Sequence, residues 1–118
     1  MLATISAPTR RIAYAALAAA LLTASIVLMA RGGAIWQFFV FGAAPDLALF
    51  LGIGSGLGKG QLHPRAVPLY NALHRFPGPI LLAFVPGFLL AALAWALHIA
   101  VDRAVGYGLR TADGHQRA

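Results

Sequence analysis

The chain of 118 residues contains no cysteine, and its three acidic residues are all aspartates. The absence of cysteine excludes disulfides, thiol catalysis, cysteine-ligated zinc and iron–sulfur clusters. Charged residues make up 10% of the chain, against about 25% in a typical globular domain. A soluble helical bundle needs a polar face on every helix, and a chain that is 60% apolar cannot supply four of them. The composition therefore predicts a protein that lies in a lipid bilayer.

Positive charge is in excess, with a net charge of +6. The basic residues lie mainly at the ends of apolar runs, as in Arg10, Arg11, Arg31, Lys59, Arg65, Arg103, Arg110 and Arg117. This placement is how membrane topology is encoded. Because no basic stripe alternates with aromatic residues, we expect no nucleic-acid partner and take the lipid bilayer, with its anionic headgroups, as the electrostatic partner.

Four apolar segments predict an all-α integral membrane bundle of about four transmembrane helices, in a single domain covering residues 1–118. The predicted spans are 12–30, 34–54, 66–85 and 88–103, with a glycine-rich loop at 52–63 and a polar tail at 108–118. The first segment is longer than the apolar core of a signal peptide, about 7–15 residues, which favours a membrane helix over a cleaved leader.

Prolines in the second half of the chain leave two topologies open. Pro77, Pro79 and Pro86 interrupt the uncharged stretch 76–101, so a single third span with residues 65–78 at the interface is an alternative to two short spans. With four spans, both termini and the glycine-rich loop share one side. That side then holds most of the basic residues, against Arg31 alone on the other. The positive-inside rule therefore favours four spans with both termini in the cytoplasm.

The glycine-rich loop superficially resembles a phosphate-binding loop. A Walker A motif that ends at Gly58 and Lys59 needs glycine at position 53 and Ser or Thr at position 60, where this chain has Ile53 and Gly60. We interpret the segment as a flexible connection.

Polar residues inside the predicted spans need a specific explanation, because an unpaired ionisable group in a membrane costs several kcal/mol. Asp46 lies in the second span, directly after Pro45, a residue that removes a backbone hydrogen bond and frees the Phe41 carbonyl. Asn71 and His74 share one face of the third span, and His98 and Asp102 share one face of the fourth. At helical rise, Asp46 and His74 both lie about 12 Å from the cytoplasmic end of their spans. All these residues fall in the cytoplasmic half and are able to form one polar site.

Two carboxylates and two imidazoles are a ligand set that suits a divalent Zn, Mn or Fe ion. A bound metal lowers the pKa of a coordinated water, and a spare carboxylate is then available as general base. We therefore predict a metal-binding, hydrolytic site for a lipid-like or amphipathic substrate, with these catalytic and metal-ligating candidates: Asp46, His74, His98 and Asp102.

A structural role explains the same residues without any chemistry. Asp46 could pair with Arg75, and Asp102 with His98 or Arg103, and Asn71 could hydrogen-bond between helices. The chain would then be a non-catalytic subunit of a homo-oligomer or of a larger membrane complex. A proton- or ion-conducting relay is a third hypothesis, and it needs a polar path to the far face that the sequence scarcely offers.

Residues after the fourth span have two interpretations. Tyr107 could cover the polar site, with Arg110 available for an anionic substrate group. Alternatively, Tyr107 is an interfacial aromatic and Arg110 a positive-inside residue. We place both with Asn71 and Arg103 as candidate supporting residues.

Three sequence runs resemble a bacterial membrane family known as domain of unknown function 4260, over about residues 36–110. They are Pro45-Asp46-Leu47, Tyr70-Asn71-x-x-His74 and His98-Ile99-x-x-Asp102-Arg103-x-x-Gly106-Tyr107-Gly108-Leu109-Arg110. The resemblance implies a four-helix protein of the bacterial inner membrane with no established activity. It also implies, without assigning roles, the importance of Asp46, Asn71, His74, His98, Asp102 and Arg103.

Overall fold

A computed structural model describes residues 6–116, which form an all-α fold as the composition predicts. Arg117, one of the basic residues used to assign topology, lies outside the described residues. The helices are α1 (Ala7–Ala30), α2 (Ile35–Ala43), α3 (Ala48–Leu51), α4 (Val67–Leu73), α5 (Pro77–Leu82) and α6 (Leu89–Ala104). Two 3-10 turns, Ala44–Leu47 and Pro64–Ala66, precede α3 and α4.

Helix α1 is the long apolar helix that the sequence predicts. Ser6 caps its start by accepting a hydrogen bond from the Thr9 amide, and its 24 residues correspond to a length of about 36 Å. Its most apolar 18-residue window has a mean hydropathy of 2.2. Among the helices of residues 6–116, α1 is the one long and apolar enough to cross a membrane. An apolar helix at this position fits a membrane anchor or a signal sequence.

The other three predicted spans are shorter or broken. The second corresponds to an apolar run, Ile35–Leu51, whose α-helical pitch tightens at the 3-10 turn that contains Pro45. The third is divided between α4 and α5, which are separated at residues 74–76. The fourth is α6, with 16 residues. Four membrane-spanning segments therefore stay a prediction.

Contacts at both ends of α6 give the direction of its neighbours. Arg11, near the start of α1, donates from Nε to the Ala104 carbonyl at the end of α6, at 2.9 Å. Gln37, near the start of α2, donates to the Gly87 carbonyl and accepts from the Ala91 amide at the start of α6. Helix α1 is thus antiparallel to α6, and α2 is parallel to it.

The centre of the fold is a set of small side chains on α6. The buried residues of this helix are Leu90, Ala91, Ala92, Ala94, Ile99 and Ala100. Ser25, the buried residue of α1, donates a hydrogen bond from its hydroxyl to the Leu21 carbonyl of the same helix. Small residues at such an interface let helix backbones approach closely.

The end of α4 is fixed on α6 by side-chain donors. The last carbonyls of a helix lack partners within the helix. Trp95 Nε1 donates to the Leu73 carbonyl at 2.7 Å, and Arg103 Nη2 donates to the His74 carbonyl at 2.9 Å. These two bonds hold the break between α4 and α5 against α6.

The predicted glycine-rich loop and polar tail pack on each other. The Leu62 amide donates to the Gly114 carbonyl at 2.9 Å, and Gln61 donates to the Asp113 carbonyl. Leu62 lies in a small buried cluster with Ala48, Ala66 and Tyr70. The described part of the tail therefore covers the start of α4.

Gly78 provides a test of the α5–α6 contact. A Cβ atom added at Gly78 would lie 2.5 Å from Cη2 of Trp95. We expect Gly78→Ala to displace the indole from the Leu73 carbonyl and to lower the free energy of unfolding by about 1–3 kcal/mol. Gly42→Ala is the matched control, since Gly42 lies in α2 with nothing within 4 Å of the added Cβ. It should be neutral or stabilising by about 1 kcal/mol. Thermal unfolding in detergent measures both, and equal melting temperatures would contradict the packing described.

Candidate metal centre

Four side chains from three parts of the chain converge on one point. Asp46 Oδ1 lies 3.2 Å from Nε2 of His74 and 3.2 Å from Nε2 of His98. Asp102 Oδ2 lies 3.5 Å and 3.4 Å from the same two nitrogens. One potential ligand atom from each residue lies within 4.8 Å of all the others. The sequence-predicted set is thus one cluster, which we call the His/Asp cluster.

His74 is held by the last turn of α4. Its Nδ1 lies 2.7 Å from the carbonyl oxygen of Tyr70, and its ring stacks on the Tyr70 ring with 3.9 Å between centroids. The side chain is 2% exposed. Because a carbonyl oxygen can only accept, Nδ1 carries a proton and Nε2 faces the carboxylates.

His98 is oriented in the same way by a different helix. Its Nδ1 lies 2.7 Å from the Gly42 carbonyl near the end of α2. The following turn, Ala44–Leu47, is a 3-10 helix, in which each amide bonds three residues back and not four. At this pitch the Gly42 carbonyl would accept from the amide of residue 45, but Pro45 has no N–H, so the carbonyl is available to the imidazole. The turn also carries Asp46 to the other side of His98.

The tautomers that these contacts impose define the electrostatics of the cluster. With the proton on Nδ1, a neutral histidine presents a lone pair at Nε2. Each Nε2 faces two carboxylate oxygens, so lone pairs would meet lone pairs at 3.2–3.5 Å. The contacts become attractive when each Nε2 gains a proton or when a cation binds between the four atoms. Two neutral imidazoles and two carboxylates balance one divalent cation.

The cluster is exposed on one side, where its two carboxylates lie. The Asp46 side chain is 46% exposed and that of Asp102 is 23% exposed, whereas His98 is 12% exposed. A site with a buried imidazole wall and one accessible carboxylate is able to admit water or a substrate next to Asp46.

Asn71 and Arg110 lie beside the cluster and support its wall. The Asn71 side chain accepts from the Arg110 amide at 2.7 Å and donates to the Arg110 carbonyl at 3.0 Å. The Arg110 guanidinium stacks over the Tyr70 ring, 4.8 Å from its centroid, and donates to the carbonyls of Gly60 and Gly114. The Tyr70 ring therefore lies between the Arg110 guanidinium and the His74 imidazole. Through its hydrogen bonds to Gly60 and Gly114, Arg110 also connects the glycine-rich loop to the tail.

Arg103 and Tyr107 occupy the end of α6 and the turn after it. Arg103 donates to the His74 carbonyl and lies over the Tyr14 ring, 5.8 Å from its centroid. Tyr107 is exposed in the turn that follows α6. Of the ion pairs considered as structural alternatives, the pair of His98 with Asp102 is present. Within residues 6–116, Asp46 pairs with the two histidines and not with Arg75, which is exposed.

Two contributors to the site were not assigned from the sequence. Tyr70 supplies both a carbonyl and a stacking face to His74, and its position four residues before the histidine was the available signal. The carbonyl of Gly42, and not that of Phe41, contacts the cluster. Its use depends on the 3-10 pitch of Ala44–Leu47 together with Pro45, whose missing N–H leaves the carbonyl three residues earlier without an amide donor.

No curated protein and no solved structure matches this chain. Residues 11–118 match the family described as domain of unknown function (DUF4260), and the matched segment contains the whole His/Asp cluster. The chain therefore belongs to the DUF4260 family.

Proposed function

We propose that the chain is a metal-dependent hydrolase of the bacterial inner membrane, with four spans, both termini in the cytoplasm and the His/Asp cluster facing the cytoplasm. The observation that carries this proposal is the orientation of the two histidines. Backbone carbonyls hold both Nδ1 atoms, so both Nε2 atoms are directed at the same two carboxylates. Such an arrangement, with both imidazoles oriented by backbone carbonyls towards one point, is typical of a metal site with ordered outer contacts.

Exposed apolar residues support a location in the bilayer. Phe84 is 82% exposed, Phe50 71% and Phe39 66%. Soluble monomers rarely expose large contiguous apolar surfaces. In α1, moreover, only Ser25 is buried within the described fold, although the core helix of a soluble protein is mostly buried. In a lipid bilayer, the exposure of these apolar side chains carries no free-energy cost, because the surrounding acyl chains are also apolar.

The directions of the helices support four passes. Helix α1 runs towards the end of the molecule where α6 begins, and α2 and α3 run back. Helices α4 and α5 lead from the His/Asp cluster to the start of α6, and α6 then runs back to the cluster end of the molecule. Arg11, Arg103 and Arg110 lie at the cluster end, whereas Arg31 follows the far end of α1. The positive-inside rule assigns the cluster end to the cytoplasm.

The cysteine-free sequence allows a direct test of topology. Single cysteines at Ala34 and Pro86 mark the far end, and single cysteines at Ser55 and Ala112 mark the cluster end; all four native residues are exposed. In spheroplasts treated with a membrane-impermeant maleimide, we expect Ala34→Cys and Pro86→Cys to react. Ser55→Cys and Ala112→Cys should react only after permeabilisation. Labelling of Ala112→Cys from outside would indicate three spans, and uniform labelling of all four would indicate that α1 alone crosses.

The chemistry of the donors supports a borderline divalent ion such as Zn²⁺, Mn²⁺ or Fe²⁺. A divalent ion held there would supply Lewis-acid chemistry at neutral pH. We assign His74, His98 and Asp102 as its ligands, because they are the more enclosed members of the cluster. Asp46 is the most exposed member, so its carboxylate is the group able to contact water and substrate and to accept a proton as general base.

Elemental analysis of the purified protein tests the metal. We expect about one metal ion per chain in the wild type, and loss of the metal in His74→Ala and in His98→Ala. His115→Ala is the matched control, since His115 is exposed in the tail and outside the cluster. Chelation should lower the melting temperature, and re-addition should restore it, because a ligand at a thousandfold excess over its Kd stabilises a fold by about 4 kcal/mol. No metal in any sample, with both variants merely less stable, would favour the role as a non-catalytic structural subunit.

The two carboxylates should separate binding from chemistry. We expect Asp46→Asn to retain the metal and to lose about 10²–10⁴-fold in the hydrolysis of amphipathic chromogenic esters or phosphoesters, the contribution of a general base. Asp102→Asn should lose the metal itself. Elemental analysis and turnover on the same samples check this, and equal metal loss in both variants would overturn the separate role of Asp46.

A further inference from the structure

A basic groove lies next to the His/Asp cluster, between the start of α1 and the turn after α6. It has a volume of about 470 Å³. Its polar lining consists of Arg10, Arg11, Tyr14, Arg103 and Tyr107. We call this the arginine groove.

Two of the guanidinium groups that line the groove, those of Arg11 and Arg103, have neutral hydrogen-bond partners. Arg11 donates to the Ala104 carbonyl, and Arg103 donates to the His74 carbonyl. Both acceptors are backbone oxygens at the ends of helices, which orient the two guanidinium groups without removing their charge. Each group keeps further N–H donors for another acceptor.

The acidic side chains of the chain are engaged elsewhere. Asp46 and Asp102 face the two histidines of the cluster. Asp113 accepts from the Thr111 hydroxyl and the His115 amide, and the hydrogen bond from Thr111 lowers the pKa of its carboxyl. None of the three lines the arginine groove. Within residues 6–116, the Arg11 and Arg103 guanidinium groups therefore face no carboxylate side chain, and an anion is the ligand complementary to them.

An apolar extension continues from the groove along α1. This second cavity, of about 410 Å³, shares Ala7 and Arg11 with the arginine groove and is lined further by Pro8, Ile12, Ala15 and Ala104. Ile12 is 71% exposed. The arginine groove and its apolar extension, side by side on a membrane-length helix, are complementary to an amphiphile and not to a free ion.

We propose that the arginine groove binds the phosphate of an anionic phospholipid from the surrounding leaflet, with an acyl chain along the apolar extension beside Ile12. This proposal rests on the proposed location in the membrane and not on the metal. Guanidinium groups bind phosphate oxygens in a bidentate manner. The groove also lies at the start of α1, where the helix dipole favours an anion.

Gly106 contributes to the shape of the groove. It has a φ of +99°, a conformation that side chains rarely adopt, and an added Cβ would lie 3.7 Å from Cζ of Arg11. The glycine thus lets the turn after α6 reverse beside the guanidinium, and this reversal brings Tyr107 to the rim.

Native mass spectrometry of the protein in neutral detergent tests the proposal. The probes are phosphatidylglycerol and phosphatidylcholine with identical acyl chains, titrated separately. We expect one phosphatidylglycerol to bind with at least fivefold preference over phosphatidylcholine, since each arginine near an anionic lipid contributes about a fivefold effect. Soluble glycerol 3-phosphate at the same concentration should not displace it. Displacement would show a site for free phosphate compounds and would overturn the assignment to lipid.

Variants locate the bound lipid. Arg11→Gln and Arg103→Gln should each lower the preference about fivefold. Arg75→Gln is the matched control, because it removes an exposed arginine that does not line the groove. If Arg103→Gln loosens the fold through the His74 carbonyl, Tyr107→Ala provides a second probe at an exposed position and should weaken binding without changing the melting temperature.

The results also separate this proposal from that of the metal centre. Lipid preference should be the same before and after chelation, and Arg11→Gln should keep the wild-type metal content. Equal binding of the two lipids, or equal effects of Arg11→Gln and Arg75→Gln, would overturn the lipid site whatever the metal analysis gives.

Discussion

The structure around the candidate site depends on the two hydrogen bonds that fix the histidine rings. Nδ1 of His74 bonds to the Tyr70 carbonyl of its own helix, and Nδ1 of His98 bonds to the Gly42 carbonyl of α2. Each bond selects a tautomer and an orientation. Without them the Nε2 atoms would not share the carboxylates of Asp46 and Asp102.

Irregular backbone makes these bonds possible. The Gly42 carbonyl is free because its partner in the 3-10 turn at Ala44–Leu47 would be Pro45, which has no N–H. The break after α4 frees the carbonyls that Trp95 and Arg103 bind. Non-helical backbone is tolerated at membrane depth where protein groups satisfy it. The same breaks explain why the segments that carry Asp46 and His74 are short, while α1, which carries no residue of the cluster, is long and regular.

Much of the site follows from the sequence, because ionisable residues in apolar segments are rare and helical spacing places them. The spacing of His98 and Asp102 predicts a shared face, and the depth of Asp46 and His74 predicts convergence. The support from Tyr70 and Gly42 was not predictable, because it depends on changes of helical pitch. Arg110 was a predicted supporting residue, but its stacking on Tyr70 depends on a tail that folds back. The all-α fold follows from composition, whereas the bounds of the shorter segments do not, since the prolines allow several breaks.

The lengths of the helices connect the two proposals. Helix α6 has 16 residues, or about 24 Å, against a hydrocarbon thickness of about 30 Å. In the proposed four-span topology, a helix of this length is accommodated by local thinning of the bilayer, which brings headgroups closer to the protein. Arg103 lines the arginine groove and also binds the carbonyl of His74. A lipid phosphate held by Arg103 would therefore contact the same side chain that binds the backbone carbonyl of His74. This adjacency makes an anionic lipid, and not a soluble metabolite, the first class of substrate to examine.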